Sequence, residues 1–214
     1  MTGHTDYPDR LFSTLPMAEL VSAPQGWEVR LLSSPILQRL GPREWQRLLR
    51  GMTVEAVEPG QTLIQAGTVG DVCYVLRRGR AAVHVGRQTL AILEPGSLFG
   101  EDALISGGTR NASVTFLGAG AVGRLDAWRF ESWLLEAAIR PLDDPAGRLL
   151  LDLDPCEAAV DSRVHLPLQR LRDPALRLIS RAAYCVIGAT LRERCLAAFV
   201  LTQRGFDVAP LADG

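Results

Sequence analysis

The hydrophobic pattern changes period several times along the chain. Residues 34–52 carry two short helical signals. Ser34-Pro35 opens one and Gly41 stops it. Pro42 opens the next, in which Trp45, Leu48, Leu49 and Met52 share a face. From 53 to 125 the period shortens. The β-rich pieces VEAV, TLIQ, CYVLR, AAVHV, TLAIL, SVTFL and AVGRL alternate with glycine-bearing turns. Many short strands at this spacing predict a β-sandwich or jelly roll rather than βαβ units. Residues 126–139 return to a helical period, with Asp126 as N-cap and Phe130, Trp133, Leu134, Ala137 and Ala138 on one face.

Pro141, Asp143-Asp144-Pro145 and Gly147 then read as a linker over 141–147. Residues 148–214 have an α/β pattern. LLLDL is a buried-type strand, DPCEAAV a turn with a short helix, and 167–179 weakly helical. AAYCVI is a second strand, 191–204 a helix closed by Gly205, and FDVAPL a third strand. Strand, helix and strand joined by short loops imply parallel pairing with a right-handed crossover. Residues 1–33, broken by Pro8, Pro16, Pro24 and Gly26, read as an N-terminal extension of turns and short pieces, with Trp27 as a candidate anchor. The expected class is α+β and multidomain: a β jelly roll with flanking helices over 34–140, then a smaller α/β unit with parallel strands.

Composition removes several function classes. The 214 residues carry 23 Arg and Lys against 24 Asp and Glu. All the basic residues are Arg, so no lysine nucleophile exists. Residues 140–214 hold ten Arg against ten acids, which is no basic nucleic-acid footprint. Cys73, Cys156, Cys185 and Cys195 show neither a CxxC pair nor metal-ligand spacing with histidine. His84, in strand AAVHV, is expected to face solvent rather than bind a metal. No signal peptide and no membrane-length apolar run is visible, so a cytoplasmic protein is expected.

The densest chemistry lies at 96–114, GSLFGEDALISGGTRNASV. Gly100 permits a tight turn, and Glu101–Ile105 has the composition of one or two helical turns. Such a turn offers N–H groups to a phosphate, while Glu101 can accept from a ribose hydroxyl. Gly107-Gly108 turns the chain back and brings Arg110, whose planar fork suits two phosphate oxygens. Small residues from Ala112 let a ligand approach the backbone. A 3′,5′-cyclic nucleotide fits this set. A structural ion pair between Glu101 and Arg110 is the plainer alternative.

Together with PGQTLIQAGTVGD, YVLRRGRAAV and the following helix, this stretch resembles the cyclic-nucleotide-binding family of bacterial catabolite activators, cAMP-dependent kinase regulatory subunits and cyclic-nucleotide-gated channels. The resemblance covers about residues 35–140. It implies that Glu101 binds ribose, that Arg110 binds phosphate, and that Gly100 and Ala103 give backbone N–H groups to the phosphate. It also implies that Asn111 and Ala112 line the pocket. The ligand implied is cAMP or cGMP, with no metal. The residue after the arginine is often Ala in cAMP binders and Thr in cGMP binders. Here it is Asn111, which both donates and accepts, so base preference stays open.

RLLLDLDP, AAYCVIG and LAAFVLTQRGFDVAPLADG resemble a rhodanese-like domain, as in bacterial fusions of the two types. The resemblance puts Cys185 at the persulfide-carrying position, where a strand ends before a helix. Three departures point to a degenerate, truncated domain. Asp152-Leu153-Asp154 lacks the family's early Arg, the loop after Cys185 is long, and the chain stops soon after LADG. The leading expectation is a non-enzymatic cyclic-nucleotide sensor that passes its signal to an inactive C-terminal unit. The alternatives are a nucleotide-gated sulfurtransferase using Cys185 and a ligand-free interaction module. A helix-turn-helix output is disfavoured by the strands and neutral charge of 149–214. A homodimer and a further protein partner stay open.

Overall fold

The computed structural model describes residues 26–154, 163–171 and 176–213. The expected short helix at DPCEAAV, and most of the N-terminal extension, lie outside the described residues.

Eight strands form two antiparallel four-stranded sheets. One has the order β1 (Thr53–Val57), β8 (Gly120–Asp126), β3 (Val72–Arg78), β6 (Leu98–Phe99). The other has the order β2 (Thr62–Ile64), β7 (Ser113–Phe116), β4 (Ala81–Val85), β5 (Gln88–Leu93). The expected sandwich is therefore present. Its inner core joins Val57, Ile64, Val72, Tyr74, Leu76, Phe99, Val114, Phe116 and Val122. Strand β3 explains its unbroken apolar run. Val72, Tyr74 and Leu76 face this core, while Cys73 and Val75 join a second core formed with the helices.

Helices cover the outer face of the first sheet. These are α1 (Gly26–Leu32), a 3-10 turn (Leu37–Arg39) and α2 (Pro42–Gly51). Trp27, the expected anchor, is buried, as is Leu31 one turn on. The segment around it is a helix rather than irregular turns, since those two side chains give it a buried face. Of the first helical signal, only a 3-10 turn forms. After β8 comes one continuous helix, 127–138, made of α4 (Ala127–Phe130), a π-helical stretch (Glu131–Leu135) and α5 (Glu136–Ala138). The Asp126 Oδ1 caps it by accepting from the Arg129 N–H at 2.8 Å.

The C-terminal sheet is parallel, in the order β10 (Val164–His165), β9 (Leu149–Asp152), β11 (Ala183–Ile187), β12 (Asp207–Pro210). Helix α6 (Leu191–Gln203) starts with a reciprocal Thr190–Glu193 capping box. The three strands read from the pattern are β9, β11 and β12. The two-residue β10 gives no periodic signal and was not expected. The stretch 141–147 is tied down at Leu142. Its N–H donates to the Pro210 carbonyl at 2.8 Å, and its carbonyl accepts from the Ala212 N–H at 2.8 Å. Leu142 forms a parallel bridge with Leu211, so this part of the expected linker extends the sheet.

The second core is continuous from α1 through helix 127–138 to α6. Phe130 meets the fully buried Phe199 edge-on at 5.4 Å. Arg39 donates to the Val208 carbonyl at 3.0 Å. Burying a phenylalanine stabilises by about 1.5–3 kcal/mol, so this junction resists separation.

Candidate functional site

Strand β6 ends at Phe99, and α3 (Glu101–Ser106) begins one residue later. Gly100 between them has φ 83°, a left-handed conformation that makes the sharp turn possible. Leu104 and Ile105 bury into the helical core and so fix the helix. The opposite end of α3 faces a cavity of about 180 Å³. Gly100, Glu101, Ala103, Arg110, Asn111 and Ala112 all line it, so the six residues expected from the sequence share one site. Ile64, Val83, Leu98 and Val114 supply apolar walls, and Asp102 also borders it.

Glu101 and Arg110 are both 7% exposed, an unusual burial for charged side chains. Arg110 donates from one terminal nitrogen to the Gly100 carbonyl at 2.5 Å and from the other to the Val72 carbonyl at 2.6 Å. A guanidinium has five N–H donors, so these two bonds orient the fork and leave donors for a ligand. The anchoring partners are thus backbone carbonyls. The adjacent Cys73 thiol is pushed well up by burial and further by Glu101, while Arg110 pulls it back. Both charges therefore act across the strand that carries Val72.

Gly70 was not singled out from the sequence. A Cβ there would lie 2.3 Å from the Ala103 Cβ and 2.8 Å from the Arg110 Cζ. Only a hydrogen fits between the loop and the guanidinium. The loop is pinned by the Gly67 N–H donating to the Arg110 carbonyl, and by the Arg110 N–H donating to the Thr68 carbonyl, each at 2.8 Å. Asn111 is exposed at the cavity. Two residues on, the buried Ser113 hydroxyl accepts from the Ala66 N–H at 3.0 Å.

Other candidates are placed differently. Cys185 is fully buried within β11, opposite Leu150 and Ala209. The strand runs on to Ile187, so the thiol does not stand at a strand end. Burial raises its pKa, which the positive charges of Arg148 and Arg194 only partly offset. Cys195 is half-buried on α6, and burial raises it too. His84 is half-buried rather than solvent-facing, with Nε2 3.0 Å from the Thr115 hydroxyl. Among the described residues, no group of three or more His, Cys, Asp or Glu is placed to hold a metal ion. No helix among them is long and apolar enough to cross a membrane.

Residues 54–136 match the family model of the cyclic nucleotide-binding domain. The chain is 39% identical over 83 residues to a cAMP-dependent protein kinase regulatory subunit of Yarrowia lipolytica, covering 38% of this chain and 22% of that protein. It is 33% identical over 85 residues to a cGMP-dependent protein kinase of Toxoplasma gondii, covering 40% of this chain and 9% of the kinase. Among solved structures, the regulatory domain of Toxoplasma gondii PKA with cAMP is 23% identical at a TM-score of 0.49, covering 55% of this chain and 48% of that one. The matched part of this chain spans about a tenth of the cGMP-dependent kinases it resembles. Residues 54–136 are thus similar to the cyclic nucleotide-binding domain, and in sequence to parts of cAMP-dependent kinase regulatory subunits and cGMP-dependent kinases.

Proposed function

We propose that the protein is a cyclic-nucleotide sensor whose C-terminal unit receives the signal. The observation that carries this is the buried Arg110, held by two backbone carbonyls at the wall of a cavity that Glu101 also lines. Arg110 takes the phosphate of cAMP or cGMP, Glu101 the ribose hydroxyl, and backbone N–H groups at Gly100 and Ala103 the remaining phosphate oxygens. The cavity, at about 180 Å³, is smaller than the ~300–1,000 Å³ of pockets that enclose a whole small ligand. The sugar and phosphate enter it, and the base stays at the mouth beside Asn111.

Coupling follows from packing. Glu101 and Ala103 line the cavity, while Leu104 and Ile105 of the same short helix share a core with Phe130, Leu134 and Phe199. A ligand that draws α3 toward Arg110 therefore acts on helix 127–138 and on α6 together. This needs two packing states of which the ligand prefers one. The π-helical turns at Glu131–Leu135 are a place where the helix can change register. The C-terminal unit is read as a rhodanese-like domain without sulfur-transfer chemistry, a reading supported by the burial and raised pKa of Cys185.

One observation favours a second reading. The two short bonds of Arg110 to backbone carbonyls satisfy part of its charge within the protein, as a ligand-free interaction module would require. Calorimetric titration of cAMP and of cGMP into wild type and Arg110→Ala separates the two. Saturable binding in wild type, weakened at least about a hundredfold in the variant, supports the sensor. No heat with either nucleotide at millimolar concentration leaves the module.

A further inference from the structure

Helix α2 carries Arg43, Arg47 and Arg50 at a four-then-three spacing. At about 100° per residue they fall in a stripe about 60° wide, opposite the buried Leu48 and the half-buried Trp45 and Leu49 that pack into the helical core. All three arginines are exposed, and none has an ion-pair partner among the described residues. The nearby acids are turned elsewhere. Glu44, the one acid of α2, reaches back over Gly41, where a Cβ would lie 2.5 Å from its carboxylate oxygen. On the neighbouring helix 127–138, Glu131 pairs with Arg192 of α6 at 3.6 Å, and Glu136 acts on the Cys195 thiol, also of α6. Trp133 of that neighbour lies against Gly51, the last residue of α2, and meets Trp128 edge-on at 5.8 Å. Trp128 is 65% exposed, so a bare indole flanks one end of the stripe.

We infer that this face of α2 is a docking surface for an acidic helix of a partner protein. The inference stands apart from the cyclic-nucleotide reading. A rise of about 1.5 Å per residue spaces the arginines about 6 and about 4.5 Å apart along the axis. A second helix with carboxylates at i, i+4 and i+7 repeats those unequal steps. Same-face residues of a strand recur every ~6.6 Å and miss the shorter one. Each guanidinium fork can take a carboxylate through two parallel bonds. Tryptophan and arginine are the side chains that most often anchor protein interfaces, and an apolar residue beyond the partner's acids meets Trp128. An anionic membrane is the poorer fit. Lipid-binding polybasic segments gather about four to eight basic residues, and α2 offers three.

The test uses the full chain and two fluorescent helical peptides of equal composition. One carries glutamates in a three-four repeat along one face with a leucine beyond them. The other scatters the same residues around the helix. Anisotropy is read at about 0.1 M salt, where a Debye length of about 10 Å makes the pattern of charge count rather than its sum. Wild type is expected to bind the striped peptide about tenfold more tightly than the scattered one. The triple variant Arg43→Gln, Arg47→Gln, Arg50→Gln should lose that preference. Glutamine nearly equals arginine in helix propensity, and the three positions are exposed, so α2 is retained. The comparison of peptides needs only wild type, so it stands without the variant. Equal binding of the two peptides, or binding of neither, would overturn the proposal. So would an unchanged preference in the folded triple variant. Vesicles containing anionic lipid form the last arm. Arginine-dependent binding to them, without preference for the striped peptide, would assign the face to a lipid surface and overturn the acidic helix.

Discussion

Two arginines in this molecule are buried to almost the same degree, Arg110 at 7% exposure and Arg194 at 8%, and each clasps backbone carbonyls. Their surroundings give them different roles. Arg110 makes two such bonds and borders a cavity. Arg194 donates to the carbonyls of Leu211, Gly188 and Ala189 at 2.9, 3.3 and 2.9 Å, and to the Asp213 carboxylate. Its fork closes the loop after β11 against the chain beyond β12 and is nearly fully engaged by protein. Buried charge therefore does not mark a ligand site by itself. Donors left over beside open space, flanked by groups that match a ligand, do so. Arg194 is a staple, and Arg110 is a staple with donors to offer.

The largest loss of stability is expected at Arg194. Replacing it with alanine leaves three carbonyls without their donor, and ~3 kcal/mol or more of stability should disappear in urea unfolding. Affinity for a cyclic nucleotide should stay within about twofold of wild type. Arg110→Ala reverses the emphasis. Affinity should fall at least about a hundredfold, and stability by only about 1–2 kcal/mol, because cavity water can reach the freed carbonyls. Gly70→Ala acts on the packing that holds Arg110. The added methyl must push Ala103 or the guanidinium aside, for about 1–2 kcal/mol of stability and a roughly tenfold loss of affinity. The smallest effect is expected at the α6 cap. Thr190→Ala should remove about 1 kcal/mol of stability and leave nucleotide affinity alone.

The same cap has a pH signature. The Thr190 hydroxyl and backbone N–H hold the Glu193 carboxyl below the ordinary glutamate range. A carboxyl depressed in the folded state stabilises above its unfolded pKa, and that contribution is lost as pH falls through the folded value. Acid titration of stability should therefore show a wild-type loss on the acid side that is smaller in Thr190→Ala, which keeps only the backbone N–H donor. The glutamate is near the surface, so the difference should be small.

The cassette was legible in the sequence because its parts are local. Gly100, Glu101, Ala103, Arg110, Asn111 and Ala112 lie in one stretch, and the turn, short helix and returning strand between them follow from glycine placement. The support for Arg110 was not legible. Gly70 and the Val72 carbonyl lie far back in the chain, and no periodicity records which carbonyl a guanidinium will find. Helix α1 was hidden between Pro24 and Pro35, because a seven-residue helix owes its stability to where Trp27 and Leu31 pack. In the C-terminal unit the parallel strands could be read from their apolar runs. The docking of Phe199 on Phe130, and the pairing of Leu142 with Leu211, could not. The interior position of Cys185 already followed from the strand read as AAYCVI, which ends with β11 at Ile187; only the family resemblance put the thiol at a strand end.

The most direct test of the central claim is thermal unfolding of wild type, Arg110→Ala and Arg194→Ala, each with and without cyclic nucleotide. At a ligand concentration about a hundred times Kd, the wild-type Tm should rise by about 5–10 °C. Arg194→Ala should start from a lower Tm and show a rise of similar size. Arg110→Ala should start about 2–8 °C below wild type, a smaller drop than that of Arg194→Ala, and show none. Equal ligand-induced rises in wild type and Arg110→Ala would contradict the account, since the phosphate would then be held by something other than the buried arginine.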